Sequence, residues 1–345
     1  MGLDCATFNY ILHNGFARRW DHSTIPRGDT NPHGRPRLGR RSLDAAGALG
    51  LIYHHLTSAM PDTALQQIFA LIPTTVARYR AFALVILRDT LRELPEAQVI
   101  WWESVEECEE DSLLITRRHS LLYGAIGSID GLNLLTAESD DPELENATYN
   151  GWLHGHYTSC VLVFSPREVV SSTPQVAGTT PKLLALSTTS CRTRPPPGYF
   201  LIADTAFPRG ASHIAGRIQA PMKSNQQLPL DAAERETQLA RNRQLVSYRQ
   251  TAEWGMRHFR AGYGRLRLPL DISDTQGRAD LLEVCIRSTN LRTERVGINE
   301  IQTVYMRAWQ EAEDEDIWAD FENVVFGEIR RRDRVARFHR VDMNT

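Results

Sequence analysis

Apolar residues recur first at helical spacing and then, from about residue 121, in short unbroken runs. Ala6–Trp20 reads as a short helix. Ser42 and Asp44 are candidate caps ahead of Ala48, Leu51, Ile52 and His55. Asp62 can cap a second helix carrying Leu65, Ile68, Phe69 and Ile72, which Pro73 breaks. Thr74 or Thr75 then starts a third, with Val76, Tyr79, Phe82, Val85 and Ile86 on one face. A short helix, a tight break and a longer helix have the layout of a helix-turn-helix, whose second helix enters the major groove led by its N-terminal residues. Here those residues are Thr74, Thr75, Ala77, Arg78 and Arg80. A plain three-helix bundle gives the same pattern.

The later runs read as strands. Ala125–Asp130 is apolar and ends in Asp130-Gly131. Tyr157–Ser165 holds Val161, Val163 and Phe164. Tyr199–Asp204 is apolar and ends in Asp204. Helices follow from Asp231 to about Arg260 and over Arg278–Asn290, the latter carrying Leu281, Leu282, Val284 and Cys285. The chain thus divides into a Pro-, Gly- and Arg-rich arm (1–42), a helical region (43–118), an α/β domain (119–300) and a charged tail (301–345).

Composition changes this picture little. The 345 residues suffice for one sizeable core and a smaller unit. The net charge of -3 argues mildly against nucleic acid, but the charges are segregated. Arg35, Arg37, Arg40 and Arg41 form one basic patch, Arg257, Arg260, Arg265 and Arg267 a second, and Arg330–Arg337 a third. Acid gathers at Glu103–Asp111 and Glu311–Asp320. Five cysteines, scattered and without a Cys-x-x-Cys pair, argue against a disulfide framework or a zinc site and fit a reducing compartment. No N-terminal apolar run reads as a signal peptide and no run is long enough to cross a bilayer, so no membrane partner is expected.

Two strands that each lead into an Asp, followed by a long helix carrying Glu253, suggest a site. A ribonuclease-H-like mixed sheet flanked by helices puts acids on adjacent central strands and a third on a nearby helix. Three carboxylates, Asp130, Asp204 and Glu253, can hold two hard cations, Mg²⁺ or Mn²⁺, for in-line displacement at phosphorus. Each residue also has a plainer role open to it: Asp130-Gly131 as a turn, Asp204 as a cap, and Glu253 paired with Arg249 or Arg257 one helical turn away. His154 and His156, with His119 or His213, offer a weaker zinc-hydrolase reading.

Four stretches carry a resemblance: Gly127–Asn133, Glu145–Trp152, Leu201–Pro208 and Tyr248–Met256. With them the chain resembles the Harbinger-type DDE transposases of the DDE superfamily endonuclease group, especially a fungal branch. The resemblance implies that Asp130, Asp204 and Glu253 are the metal-binding triad. It also implies DNA strand cleavage and joining, a nuclear site of action, a helical region before the catalytic domain, and action as a homo-oligomer. Arg249 and Arg257, flanking Glu253, are then placed to meet phosphate. A catalytically decayed protein that still binds DNA is the alternative.

One segment departs from the family. Where the family carries a string like Ala-Pro-Gly-Ser-Trp-His-Asp-Ser, this chain has Thr173–Cys191, rich in Thr, Ser and Leu and without Trp, His or Asp. A coding string for the family segment, its synonymous codons chosen to suit, yields Pro174 through Cys191 when read one base later. The expectation is a frameshifted stretch, restored near Arg192, that impairs support for the Asp204 strand. In the nucleotide sequence, the alternative frame across Thr173–Cys191 is expected to encode a Gly-Ser-Trp-His-Asp-like string, and its absence there disproves the shift.

Overall fold

The computed structural model describes residues 3–27, 31, 34–99, 101, 102, 104–151, 153–166, 169–174, 195–205, 207, 216–223 and 226–296. Two short helices, α1 (Cys5–Ile11) and α2 (Ala17–His22), are joined through a π-helical turn where Gly15 takes φ +132. Then come α3 (Ala45–Thr57), α4 (Asp62–Phe69) and α5 (Pro73–Leu91). Asp44 caps α3 by accepting from the Gly47 N–H at 2.7 Å. Two boundaries differ from the sequence reading. The N-cap of α4 is Pro61, and the Asp62 carboxylate reaches across to the Arg80 guanidinium at 2.6 Å. Pro73 begins α5 as well as ending the approach to it, because a first-turn residue needs no N–H partner within the helix.

A further helix, α6 (Val105–Arg118), occupies the acidic stretch. Ser104 caps it, Glu106 and Glu107 lie in its first turn and Arg117 and Arg118 in its last, so its charges oppose the helix dipole at both ends. Its inner face buries Cys108, Ser112, Ile115 and Asp111, the last accepting from the Trp102 indole at 2.7 Å.

The sheet is six-stranded and mixed. Its centre is β1 (Ala125–Leu135). On one side β1 pairs antiparallel with β3 (Gly155–Phe164), which pairs antiparallel with both β2 (Tyr149–Asn150) and β4 (Val169–Pro174). A small helix, α7 (Pro142–Thr148), leads into β2. On the other side β1 pairs parallel with β5 (Phe200–Ile202), and β5 with β6 (Ile218–Gln219). Two long helices complete the fold. In α8 (Ala232–Gly262), capped by Asp231, the residues Leu245, Tyr248, Ala252, Met256 and Phe259 form a buried stripe at helical spacing. The last, α9 (Thr275–Val296), is buried on most of its faces.

That helix ties the two regions together. Asp280 on α9 pairs with Arg88 on α5 at 2.8 Å, Glu283 with Arg92 at 2.6 Å, and the Tyr53 hydroxyl on α3 lies 3.0 Å from that of Ser288. One apolar cluster runs from Ile11 and Trp20 through the α3–α5 helices into the sheet and on to Leu291. Among the described residues no single helix is long and apolar enough to cross a membrane. The expected tail (301–345), and nearly all of the altered segment, residues 175–191, lie outside the described residues.

Burial makes His119 a useful probe of this core. It stacks edge-on against Tyr248 of α8, with ring centroids 5.8 Å apart, and desolvation lowers its pKa from 6.5 to about 3. Between those values the unfolded chain binds the extra proton. Stability therefore falls as pH drops through that window, by about 1.4 kcal/mol per pH unit for one such group. His119→Gln is expected to flatten the fall in denaturant-measured stability between pH 6 and 4 by about that slope; an unchanged slope would contradict it.

Candidate active site

The register of β1 and β5 sets the first two carboxylates side by side. Ser128 pairs with Ile202 in the parallel ladder, and Asp130 and Asp204 each lie two residues further on. Asp130 lies within β1, whereas β5 ends at Ile202 and Asp204 follows just past that end. Asp130 is not at the end of its strand, as the apolar run implied. The strand continues through Leu135, and Asp130 lies opposite Leu162 on β3.

Each Asp is held by the residue after it. The Gly131 N–H donates to Asp130 Oδ1 at 2.7 Å, and the Thr205 N–H donates to Asp204 Oδ1 at 2.5 Å. One oxygen of each carboxylate is thereby fixed, and Oδ2 remains for a ligand.

The third carboxylate arrives on α8, which is pinned to the sheet twice, once at β1 and once at β3. The hydroxyls of Ser128 and Thr251 meet at 2.8 Å in the core, two residues before Asp130 and two before Glu253. One turn on, Gly255 lies against the Phe164 ring of β3; a Cβ there would come within 2.4 Å of a ring carbon. Ser128, Thr251 and Gly255 lie within the family-like stretches and Phe164 outside them, yet spacing alone does not mark these contacts, because a Ser in an apolar run or a Gly in a helix has no partner until the sheet and helix meet.

Arg249 lies among the acids. Its Nη2 donates to Glu253 Oε1 at 2.7 Å, one helical turn away, and its Nη1 is 3.9 Å from Asp204 Oδ2. The Asp130 carboxyl registers the cluster: burial pushes its pKa up, the charges of Asp204 and Glu253 push the same way, and the Gly131 N–H and Arg249 pull it down by less. A carboxylate perturbed by burial and by neighbouring acids in this way is a mark of functional sites.

The donors suit hard cations in kind: three carboxylates, with no thiol or imidazole among them. Among the described residues, no three His, Cys, Asp or Glu side chains are close enough to hold an ion as they stand. The cation in contact with the acids is the Arg249 guanidinium.

The other candidates separate. Thr74 is exposed at the start of α5 and Arg78 half-buried, but Thr75 is only 9% exposed and cannot lead a helix into a groove. Its burial is set by how α5 packs, which periodicity without a partner does not reveal. Helices α4 and α5 meet at 94° across a short break, within the range of helix-turn-helix pairs. Arg257 is exposed on α8. Arg249, expected at phosphate, is engaged by Glu253. The histidines do not converge: His156 is bound to Glu145 at 2.8 Å and to the Thr148 hydroxyl at 3.1 Å, His154 lies in the turn before β3, His119 is buried under Tyr248, and His213 lies outside the described residues.

Comparison with known proteins bears on this site directly. Residues 129–290 match the family model described as DDE superfamily endonuclease, a span that contains Asp130, Asp204 and Glu253. Two solved structures align over 82% of this chain and 81% of their own. One is the Mos1 transposase paired-end complex with left transposon end, at 14% identity and a TM-score of 0.23. The other is a pre-cleavage Mos1 transpososome, at 13% and 0.22. Likeness at that level carries no argument about this chain. No curated protein matches it.

Proposed function

We propose that this protein is a transposase-derived DDE endonuclease that cleaves and joins DNA phosphodiesters with divalent cations, held by Asp130, Asp204 and Glu253. The observation that carries the reading is the placement of Asp130 on β1 and of Asp204 two residues past the end of the adjacent parallel β5, with Glu253 on a helix bonded to β1 through Ser128 and Thr251 and with the charges of Asp204 and Glu253 acting on Asp130. The match of residues 129–290 to the DDE superfamily endonuclease model supports it independently. A sheet with an antiparallel β1, β3, β4 edge and parallel β5 and β6 supports a ribonuclease-H-like domain. The Harbinger type, the fungal branch, action as a homo-oligomer and a nuclear location belong to the same proposal and rest on the family-like stretches.

When bound, the two Mg²⁺ or Mn²⁺ ions would activate the attacking oxygen and stabilise the leaving one. The protein's own contribution is placement. Backbone N–H groups fix one oxygen of each Asp, the Ser128–Thr251 bond sets the height of Glu253, and the basic residues present a surface to phosphate. Thr74 and Arg78 at the start of α5, and Arg257 on α8, are the proposed DNA contacts. The full-length protein is expected to nick supercoiled plasmid with Mn²⁺ and to stop when the metal is chelated. Nicking that continues under chelation would overturn the reading.

One observation favours a second reading, a DNA-binding protein whose catalysis has decayed: Arg249 already neutralises acids that cations would occupy. That reading expects salt-dependent DNA binding without metal-dependent nicking.

A further inference from the structure

We propose that Arg249 is a resident counter-charge that holds the acidic cluster in a metal-free state and must leave it before a cation can enter. The inference rests on the reading of Asp130, Asp204 and Glu253 as the metal site, and concerns what controls that site.

The charges of Asp204 and Glu253 both act against ionisation of Asp130. Gathered without a cation they repel one another, and part of the Asp130 surroundings is dry. A guanidinium can relieve this because it is planar, permanently charged and able to serve two carboxylates at once. Arg249 lies on α8 one turn before Glu253 and within 3.9 Å of Asp204. It uses Glu253 Oε1 and approaches Asp204 Oδ2, the oxygen that the Thr205 N–H leaves available. Those are the lone pairs a divalent ion would take. The guanidinium and the ion therefore compete for the same atoms, and a second positive charge within a few ångströms would oppose the ion even without direct overlap.

Among the described residues, Arg249 is held by Glu253 and Asp204. Its pairs with Glu253 and Asp204 are half-exposed, with about half of each carboxylate's surface open to solvent, so each holds it weakly. A guanidinium freed at this surface has a natural new partner in a DNA phosphate, which it can meet with two parallel N–H donors. Loss of the guanidinium from the acids and arrival of the nucleic acid would then be linked events. Metal entry becomes favourable when substrate is present, and without it Arg249 offsets part of the acids' charge.

The test is Mn²⁺ binding to the full chain, followed by titration calorimetry, in the native protein and in Arg249→Gln, Arg243→Gln and Asp130→Ala. Arg243 lies on the same helix, exposed, with its guanidinium turned to its own backbone at Leu239, so it controls for the change in net charge. Arg249→Gln is expected to bind Mn²⁺ about tenfold more tightly than the native protein, and Arg243→Gln within about twofold of it. A positioning role for Arg249, without competition, would leave affinity unchanged or weaken it. Tighter binding in Arg249→Gln alone supports the proposal. Equal or weaker binding in Arg249→Gln, with binding lost in Asp130→Ala, overturns it and leaves the metal site standing. Absence of binding in the native protein and in Arg249→Gln alike overturns both.

Discussion

Asp130→Asn is expected to abolish metal-dependent strand cleavage while leaving the fold as stable as before or slightly more so. The two halves of that result come from one environment. Burial and two neighbouring acids oppose the charge of the Asp130 carboxylate, so removing the charge relieves repulsion and is expected to add up to about 1 kcal/mol of stability. The amide keeps the shape of the side chain and can still accept the Gly131 N–H. As a metal ligand, however, it is far poorer than a carboxylate, and loss of one of three ligands removes the charge stabilisation that an in-line displacement needs. Nicking is expected to fall by at least about a thousandfold, on the scale of removing a principal source of transition-state charge stabilisation. Nicking kinetics and urea denaturation on the same preparations check both halves. Retained cleavage, or a variant destabilised by several kcal/mol, would mean that Asp130 is a structural residue.

Gly255→Ala is expected to damage the protein out of proportion to one methyl group. In an ordinary helix interior, replacing Gly by Ala adds about 1 kcal/mol of stability. Here the new Cβ would lie 2.4 Å from a carbon of the Phe164 ring, which is fully buried on β3 with no room to yield. Either α8 lifts from the sheet or the ring is forced aside, and overpacking of that kind costs about 1–3 kcal/mol. Lifting the helix moves Glu253, two residues away, relative to Asp130. A shift of about an ångström is enough to lower the rate on the order of a hundredfold. Cleavage is expected to fall further than stability does, and Ala at a second helical glycine that meets nothing closer than 3.8 Å, Gly50, is expected to be tolerated. Equal tolerance at both glycines would contradict the packing account.

Much of this was legible in the chain. Asp44 and Asp231 cap helices as a short polar side chain before an apolar stripe should, and the strands around Asp130, Val163 and Ile202 follow from their apolar runs. What was lost was lost for identifiable reasons. The acidic stretch before Asp111 forms a helix whose buried face is small and partly polar (Cys108, Ser112), so apolar periodicity gives little sign of it. The extent of β1 past Asp130 shows as alternating burial, Leu132 and Leu134 inside and Asn133 and Leu135 less so, which the sequence does not display because Leu135 is as apolar as Leu134. Thr75 and Thr74 are neighbours with opposite fates, and only the packing of α5 decides which one is buried. The three carboxylates proposed as the metal site could be named from the sequence. The bond between Ser128 and Thr251, and the reach of Arg249 to Asp204, required the strands and the helix to be set together first.

The most direct measurement is Mn²⁺ titration calorimetry on the folded full-length protein, with Asp130→Ala and Asp204→Ala beside it. The account predicts binding in the native protein that is lost in both variants. A folded native protein that binds no Mn²⁺, or variants that bind it as well as the native chain does, would contradict the assignment of these carboxylates as a metal site.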